Sequence, residues 1–167
     1  DEKARLGFTE RLLEEAGRLP GVLTTGVIST IPFSGNRQLS GINVKGHVLR
    51  PGETRRGHYG FGVTGDYFAA AGIPLREGRF IELADSRRAE RVCAVDEDFA
   101  RRYWPQGNAL GQRLFQSGEQ EEAKSFTVVG VVGTVKQADL TEDQSQGSVY
   151  FPYRYRTDDS FFTVIRT

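Results

Sequence analysis

Acidic and basic side chains that could act in catalysis stand close together in the segment AVDEDFARRYWPQG, residues 94–107. Three carboxylates, Asp96, Glu97 and Asp98, follow an apolar run, and two guanidinium groups, Arg101 and Arg102, come one turn later. Two carboxylates can act as general acid and base if they face one cleft and their pKa values are pushed apart. One hypothesis is therefore a small hydrolase that uses Asp96 or Asp98.

The same pattern is also typical of a helix with favourable ends. Asp96 stands where a strand ends, so its carboxylate can accept a hydrogen bond from a first-turn amide, worth about 1 kcal/mol. Glu97 and Asp98 would lie at the positive end of the helix dipole, and the two arginines at its negative end. Because consecutive helical residues point in different directions, the pattern favours a capped helix, packed through Phe99 and Tyr103, over an active site.

A second run, VVGVVGTV, suggests a nucleotide-binding loop. The dinucleotide fingerprint requires G-x-G-x-x-G at a strand-to-helix turn, and the phosphate loop requires Gly-Lys followed by Ser or Thr. Here Gly130 and Gly133 lie inside an apolar run. The sequence therefore predicts close backbone packing or a bulge within a buried strand.

The chain contains two histidines, His47 and His58, and one cysteine, Cys93. Both histidines fall at strand positions that we expect to face solvent, without Cys, Asp or Glu at metal-ligand spacing, so surface histidines are favoured over a zinc site. Cys93 lies inside an apolar strand and is predicted to be a buried, inert thiol. No G-x-S-x-G nucleophile elbow occurs. The sequence thus predicts no catalytic, cofactor-binding or metal-ligating residue.

The motif YRYR at residues 153–156 could stack on a ligand or bind a phosphate, because Tyr and Arg are common at interfaces. Polar residues at the end of a strand are more often simply solvated. We therefore favour an exposed strand end at this motif.

Composition excludes several classes of function. The 167 residues fit one domain, or two small lobes that share a core, and 26% charged with 38% hydrophobic residues is ordinary for a folded protein. Lys plus Arg and Asp plus Glu number 22 each, so the chain has no basic field to attract nucleic acid or anionic lipid. No run approaches the ~20 apolar residues of a membrane span. The start at Asp1 and the lack of methionine suggest a piece of a longer protein.

An amphipathic helix is predicted over residues 4–19 and is ended by Pro20 and Gly21. Its apolar positions recur at helical spacing: Ala4, Phe8, Leu12, Ala16 and Leu19. A short helical turn, YFAAA, is predicted after Asp66.

Strands are predicted over most of the remaining chain. Alternation around Ile42 and Tyr59 indicates half-buried antiparallel strands, and FTVVGVVGTV should be the most buried strand. Further strands are predicted at residues 22–31, 91–95, 114–115, 148–153 and 161–166.

Several spaced segments resemble a known family. They are, in order, GVTGDYFAAAGIPLREGRF, VCAVDEDFARRYWP followed by GNALGQRLF, FTVVGVVGTVK and SVYFPY. The ordered set resembles the periplasmic core domain of MacB-like, FtsX-type ABC transporter permeases. The opening, a helix that ends in LPGV and a loop with IPFSG, is similar to the acidobacterial orphan-permease branch. The resemblance covers nearly the whole chain.

The resemblance implies an α+β, bilobal fold. A porter-like α/β lobe would comprise residues 1–36 and 148–167, and a mostly β lobe of residues 37–147 would be inserted into it. Family members continue with a further helix and strand, so the first lobe would be incomplete at its C-terminal end. The resemblance also implies a periplasmic domain of an inner-membrane protein, with a transmembrane helix before Asp1 and three more after the domain.

The resemblance further implies a non-catalytic role without a cofactor. A cytoplasmic ATPase domain would hydrolyse ATP, and this domain would transmit conformational change and contact a periplasmic adaptor, exported substrate or a second permease copy. An alternative is a stand-alone extracytoplasmic domain that senses a small ligand in the cleft between its lobes.

Overall fold

The computed structural model describes residues 2–34, 39–48, 56–116, 118–119, 121–137, 146–156 and 160–167. Within these ranges the chain forms three α-helices, α1 (Glu2–Gly17), α2 (Tyr67–Ala70) and α3 (Glu97–Tyr103). Its nine strands are β1 (Thr24–Ile28), β2 (Leu39–Val44), β3 (Gly57–Gly65), β4 (Leu75–Gly78), β5 (Val92–Asp96), β6 (Arg113–Gln116), β7 (Phe126–Val132), β8 (Ser148–Pro152) and β9 (Phe162–Arg166). Short 3-10 turns span Leu83–Ser86, Glu122–Lys124 and Tyr153–Tyr155. The α+β class predicted from the sequence is confirmed.

Six of the described strands form a closed ring. β2 pairs with β6, β6 with β7, β7 with β5, β5 with β8, β8 with β3, and β3 returns to β2. The β3–β8 and β5–β7 pairs are parallel, and the other four are antiparallel. The far half of β3 pairs instead with β1, which is followed by β9, so these strands extend an open sheet from the ring. β3 therefore belongs to both parts.

Apolar side chains fill both faces of the central strands. One cluster joins ring residues such as Val95, Leu114 and Phe126 to Phe99 of α3. A second cluster lies on the opposite face, where Tyr150 packs against α2. A third, smaller cluster lies beneath α1. The alternation of strand side chains thus produces two main cores, one on each side of the same sheet.

Helix α1 forms where it was predicted, but its buried face agrees only in part with the predicted apolar positions: Ala16 is buried as expected. Thr9, Leu13 and Ala16 are buried, whereas Phe8 is 52% and Leu19 55% exposed. Thr9 tolerates burial because its hydroxyl donates a hydrogen bond to a carbonyl of its own helix at 2.9 Å. The helix therefore packs on β1 through a mixed face that a purely apolar pattern does not identify.

β3 is buried on both faces, so the half-buried prediction is wrong for this strand, whereas the antiparallel prediction is confirmed for its pairs with β1 and β2. Its inner positions are all buried, and its neighbour β8 is parallel. The second face is covered because a Cβ at Gly62 would lie 2.2 Å from the carbonyl oxygen of Arg156. β7 is not the most buried strand either: β5 and β8 are buried at every position, whereas Thr127 and Val129 are half-buried.

Several predicted connections fall wholly or partly outside the described residues. They are the loops at 33–40, 117–125 and 138–147, the turn at 51–52 and the turn at 158–160. The division into lobes of residues 1–36 with 148–167 and of residues 37–147 stays a prediction, because the sheet runs continuously through both parts and β8 lies within the ring.

Candidate functional site

Asp96 ends β5 and begins α3, and its side chain is fully buried. One carboxylate oxygen accepts a hydrogen bond from the Phe99 amide at 2.8 Å, which confirms the predicted helix cap. The other accepts a hydrogen bond from the Ser148 amide at 2.9 Å. Burial raises the pKa of Asp96 to about 6, although the two amide hydrogen bonds oppose the shift. The carboxylate therefore joins α3 to the first residue of β8.

The two carboxylates that follow have partners of their own. Glu97 forms an ion pair with Arg76 at 3.1 Å, and Asp98 forms one with Arg101 at 3.0 Å. Arg101 and Arg102 lie in the last turn of α3, as predicted. The acidic residues thus diverge from one another, in agreement with the capped-helix interpretation.

His58 is buried, so the prediction of a surface histidine is wrong there, whereas His47 is exposed as expected. The His58 Nδ1 atom lies 2.5 Å from the Gln146 carbonyl oxygen, and Nε2 lies 2.7 Å from the Tyr103 hydroxyl. Burial lowers the pKa of His58 to about 4, against the opposing effect of the Gln146 carbonyl. The supposed solvent face of β3 is covered by α3, which the sequence of the strand alone does not reveal.

The predictions for the cysteine and for the glycine run are confirmed. Cys93 is fully buried, and burial raises the pKa of its thiol well above the ordinary value. The β5–β7 register shifts within the glycine run, as expected for a bulge. A Cβ at Gly130 would lie 2.0 Å from the carbonyl oxygen of Arg79, and one at Gly133 would lie 2.9 Å from the ring of Pro74. Both glycines therefore serve close packing.

The YRYR motif forms a 3-10 turn over the sheet, and the prediction of an exposed strand end is wrong. Tyr153 is buried, and the other three residues are half-buried. Arg156 packs its guanidinium over Gly60, where a Cβ would lie 2.9 Å from it, and donates a hydrogen bond to the Ser40 hydroxyl. The motif therefore covers the glycine face of β3.

A cleft of about 910 Å³ lies between α1 and the segment from Gly65 to Arg87. Its floor is apolar and includes Leu13, Phe68 and Ile81. Its charged lining residues are Glu10, Arg11, Glu14, Asp66, Arg79, Glu82 and Arg87. The sequence does not predict this cleft, because its walls come together only when the N-terminal helix meets a distant segment.

Asp85 anchors one wall of this cleft and was also missed. Its side chain is 1% exposed, and its two oxygens accept hydrogen bonds from Arg79 at 2.7 and 3.0 Å. The amide of Glu82 donates a further hydrogen bond at 2.8 Å. Burial acts to raise the pKa of Asp85, but these hydrogen bonds outweigh it, so the pKa lies below its ordinary value. The spacing of Glu82 and Asp85, which form a reciprocal capping box, is the signal that could have found it.

Arg79 reaches Asp85 because the chain turns sharply at Gly78. Gly78 has φ of 74°, and a Cβ there would lie 2.2 Å from the Val129 carbonyl oxygen. The Arg79 amide donates a hydrogen bond to the same carbonyl at 2.9 Å. The glycine thus brings the cleft wall against β7 and directs Arg79 towards its partner.

One ion pair joins the two sides of the cleft. Arg87 donates two hydrogen bonds to the Glu10 carboxylate, at 2.6 and 3.1 Å. Glu10 belongs to α1, and Arg87 follows the 3-10 turn that contains Asp85. The contact is a bidentate pair, the geometry in which arginine binds carboxylates best.

The described part of the chain has no group of three or more His, Cys, Asp or Glu side chains placed to hold a metal ion. Among its described helices, none has the length and apolar character of a membrane-spanning segment.

A family model described as the MacB-like periplasmic core domain matches residues 7–166. The chain belongs to this family. It is therefore a MacB-like periplasmic domain, and the resemblance to this family found in the sequence is confirmed. The match includes the capped helix and all of the residues that line the cleft.

Two solved structures show the same fold as this MacB-like domain. The periplasmic region of MacB from Actinobacillus actinomycetemcomitans matches with a TM-score of 0.61 and 19% identity, over 93% of this chain and 63% of that one. The extracellular domain of the noncanonic ABC-type transporter YknZ from Gram-positive bacteria matches with a TM-score of 0.55 and 14% identity, over 95% of this chain and 72% of that one. The MacB-like domain thus spans less than two thirds of the MacB periplasmic region. The comparison with curated protein sequences found no match.

Proposed function

We propose that this MacB-like domain is a non-catalytic module that transmits conformational change within an ABC transporter permease. A cytoplasmic ATPase domain acts on it indirectly, through the transmembrane helices of the permease. During export the domain contacts a periplasmic adaptor, the exported substrate or a second permease copy. The predicted division into two lobes is part of this proposal.

The observation that carries the proposal is the position of β3. This strand has nine residues, Gly57–Gly65. It pairs with β2 in the ring at its start and with β1 in the open sheet at its end, while β8 pairs along its other edge. The β8 pairing covers Tyr59–Val63 and overlaps the β2 pairing at Tyr59 and the β1 pairing at Val63, so the ladder of paired residues along β3 has no gap. A displacement of the open sheet is therefore passed to the ring without being absorbed between them.

The contacts of the acidic cluster support a non-catalytic role. Both oxygens of Asp96 accept backbone hydrogen bonds, and Asp98 pairs with Arg101 on its own helix. Two carboxylates with such separate partners do not converge on a common substrate position, as acid–base catalysis requires. Their arrangement favours helix capping over the hydrolase hypothesis.

Spin-label distances in the full permease, with its ATPase, test the transmission. Labels at Arg18, after α1, and at Gln106, after α3, occupy exposed positions in the two parts, and Cys93 is buried away from the reagent. We expect the Arg18–Gln106 distance to stay constant between nucleotide-free and ATP-bound states. The distance from either label to one in the transmembrane region should change. A constant distance to the membrane, or a variable internal distance, would contradict the proposal.

A further inference from the structure

The cleft beside α1 has the size and the fixed walls of a small-molecule site. Its volume of about 910 Å³ lies within the ~300–1,000 Å³ typical of ligand pockets. One wall is anchored by the buried Asp85 and is joined to α1 through the Glu10–Arg87 ion pair. The site is therefore largely formed before any ligand arrives.

The lining favours an apolar ligand body. Leu13, Phe68 and Ile81 form a floor that belongs to the core of the domain. Leu75 and Leu83 also line the cleft and are 38% and 37% exposed. A ligand that covered these two leucines would remove apolar surface from water, which is favourable in proportion to the area buried.

The charges of the rim select the head group. Arg79 and Arg87 already hold carboxylates in bidentate pairs. Arg11 of α1 and Asp66 of the β3–α2 junction line the same cleft, and neither forms an ion pair with another described residue. A ligand with a single charge would pair with one of these groups and face the like charge of the other. A head group that carries both signs satisfies both.

We propose that this cleft binds a small amphiphile with an apolar body and a zwitterionic head, whose anionic group pairs with Arg11 and whose cationic group pairs with Asp66. This site is additional to the transmission of movement and does not depend on it. It gives the domain a ligand-binding role in its own right.

Probes with one tail and different heads test the proposal on this chain. Decylphosphocholine, decyltrimethylammonium, decyl sulfate and decyl glucoside, each below its micelle concentration, are titrated by calorimetry. We expect saturable 1:1 binding of decylphosphocholine, about fivefold tighter than the glucoside, since each exposed charge contact contributes modestly. Tighter binding of either singly charged probe, or no saturable binding, would overturn the proposal.

Substitutions locate the site. A Cβ at Gly7 would meet only the Arg11 guanidinium, at 3.6 Å, so Gly7→Phe fills the cleft and should weaken all four probes about tenfold or more. Gly17→Phe is the matched control on the same helix, because a Cβ there would meet nothing within 4 Å. If Gly7→Phe does not fold, Ala69→Phe fills the cleft from its other side. Unchanged binding by the cleft-filling variant would place the probe elsewhere and refute the site.

Two further variants test the head group. Arg11→Gln and Asp66→Asn should each bring the affinity for decylphosphocholine down to that for the glucoside, about fivefold, and leave glucoside binding unchanged. An equal loss for both probes, or no loss for either, would contradict zwitterion recognition.

Discussion

Two buried carboxylates in this domain have similar structural roles, but their pKa values are shifted in opposite directions. Asp85 and Asp96 have side chains that are 1% and 0% exposed. Each accepts a backbone amide hydrogen bond at the start of a helical turn. Each also holds a segment that passes through a glycine with φ of 74°, Gly78 beside Asp85 and Gly147 beside Asp96. Yet the pKa of Asp85 is lowered, and that of Asp96 is raised to about 6.

The difference lies in the cations beside Asp85. The partners of Asp96 are the neutral amides of Phe99 and Ser148, which do not outweigh the cost of burying a charge. Asp85 has the guanidinium of Arg79 at 2.7 Å, with Arg88 at 3.2 Å. Burial decides the pKa in the first case, and the opposite charge decides it in the second. The cleft wall is therefore held by an ion pair at neutral pH. By contrast, Asp96, which joins α3 to β8, has a pKa of about 6, close to neutral pH.

The largest expected loss of stability comes from substitution of the two glycines, Gly78 and Gly147, and it should differ between them. A Cβ at Gly78 would lie 2.2 Å from the Val129 carbonyl oxygen, and one at Gly147 would lie 3.0 Å from the Phe99 Cα. We expect Gly78→Ala to lower the free energy of unfolding by about 4 kcal/mol and Gly147→Ala by about 2 kcal/mol, measured by urea denaturation. Gly111→Ala is the control, because φ there is 81° and a Cβ would meet nothing within 4 Å. If Gly111→Ala costs as much as Gly78→Ala, backbone conformation rather than contact explains the loss.

Removal of the cation should turn Asp85 into a group like Asp96. Arg79→Met keeps much of the packing but leaves the buried carboxylate with only Arg88 and the Glu82 amide, so we expect a loss of about 3 kcal/mol at neutral pH. Without Arg79, burial raises the pKa of Asp85, and acid then neutralises the unfavourable charge. The deficit relative to the wild type should therefore shrink as the pH falls.

Urea denaturation of Arg79→Met and of the double variant Arg79→Met/Asp85→Asn, from neutral to acidic pH, tests whether the unpaired Asp85 carboxylate causes the loss of stability. The double variant should recover part of the stability at neutral pH, because it removes the unpaired charge. A deficit of constant size at every pH would show that Arg79 acts through packing alone.

The sequence predicted what depends on neighbours along the chain. The Asp96 cap follows from a carboxylate at a strand–helix junction, and the existence of α1 follows from its periodicity. The Ser148 partner, the burial of His58 and the Asp85 anchor depend on segments brought together by the fold. The buried face of α1 was misread because Thr9 satisfies its hydroxyl within the helix. The cleft was missed because its walls, α1 and the region around Asp85, are far apart in sequence.

The smallest expected effect concerns a compensation between Asp96 and His58. The pKa of Asp96 rises from 3.8 to about 6 on folding, so its contribution to stability is present at low pH and is lost as the pH rises through 6. The pKa of His58 falls from 6.5 to about 4, so its contribution is present above 6.5 and is lost as the pH falls through 4. Between pH values of about 4 and about 6, the contributions of Asp96 and His58 to the free energy of unfolding change with pH in opposite directions and by similar amounts. In the wild type, this pair should therefore add little net pH dependence to the free energy of unfolding.

Removal of either group should expose the slope of the other. Asp96→Asn retains an acceptor for the Phe99 amide, and relative to the wild type it should lose about 2 kcal/mol of stability as the pH falls from about 6.5 to about 4.5. His58→Gln should gain about 2 kcal/mol relative to the wild type over the same interval. Chemical denaturation at several pH values measures both curves, and the double variant should again be flat relative to the wild type. The rest of the chain titrates equally in all four proteins. Curves for the single variants that run parallel to that of the wild type would therefore mean that burial does not shift the pKa of Asp96 or His58. The contrast with Asp85 would then rest on geometry alone.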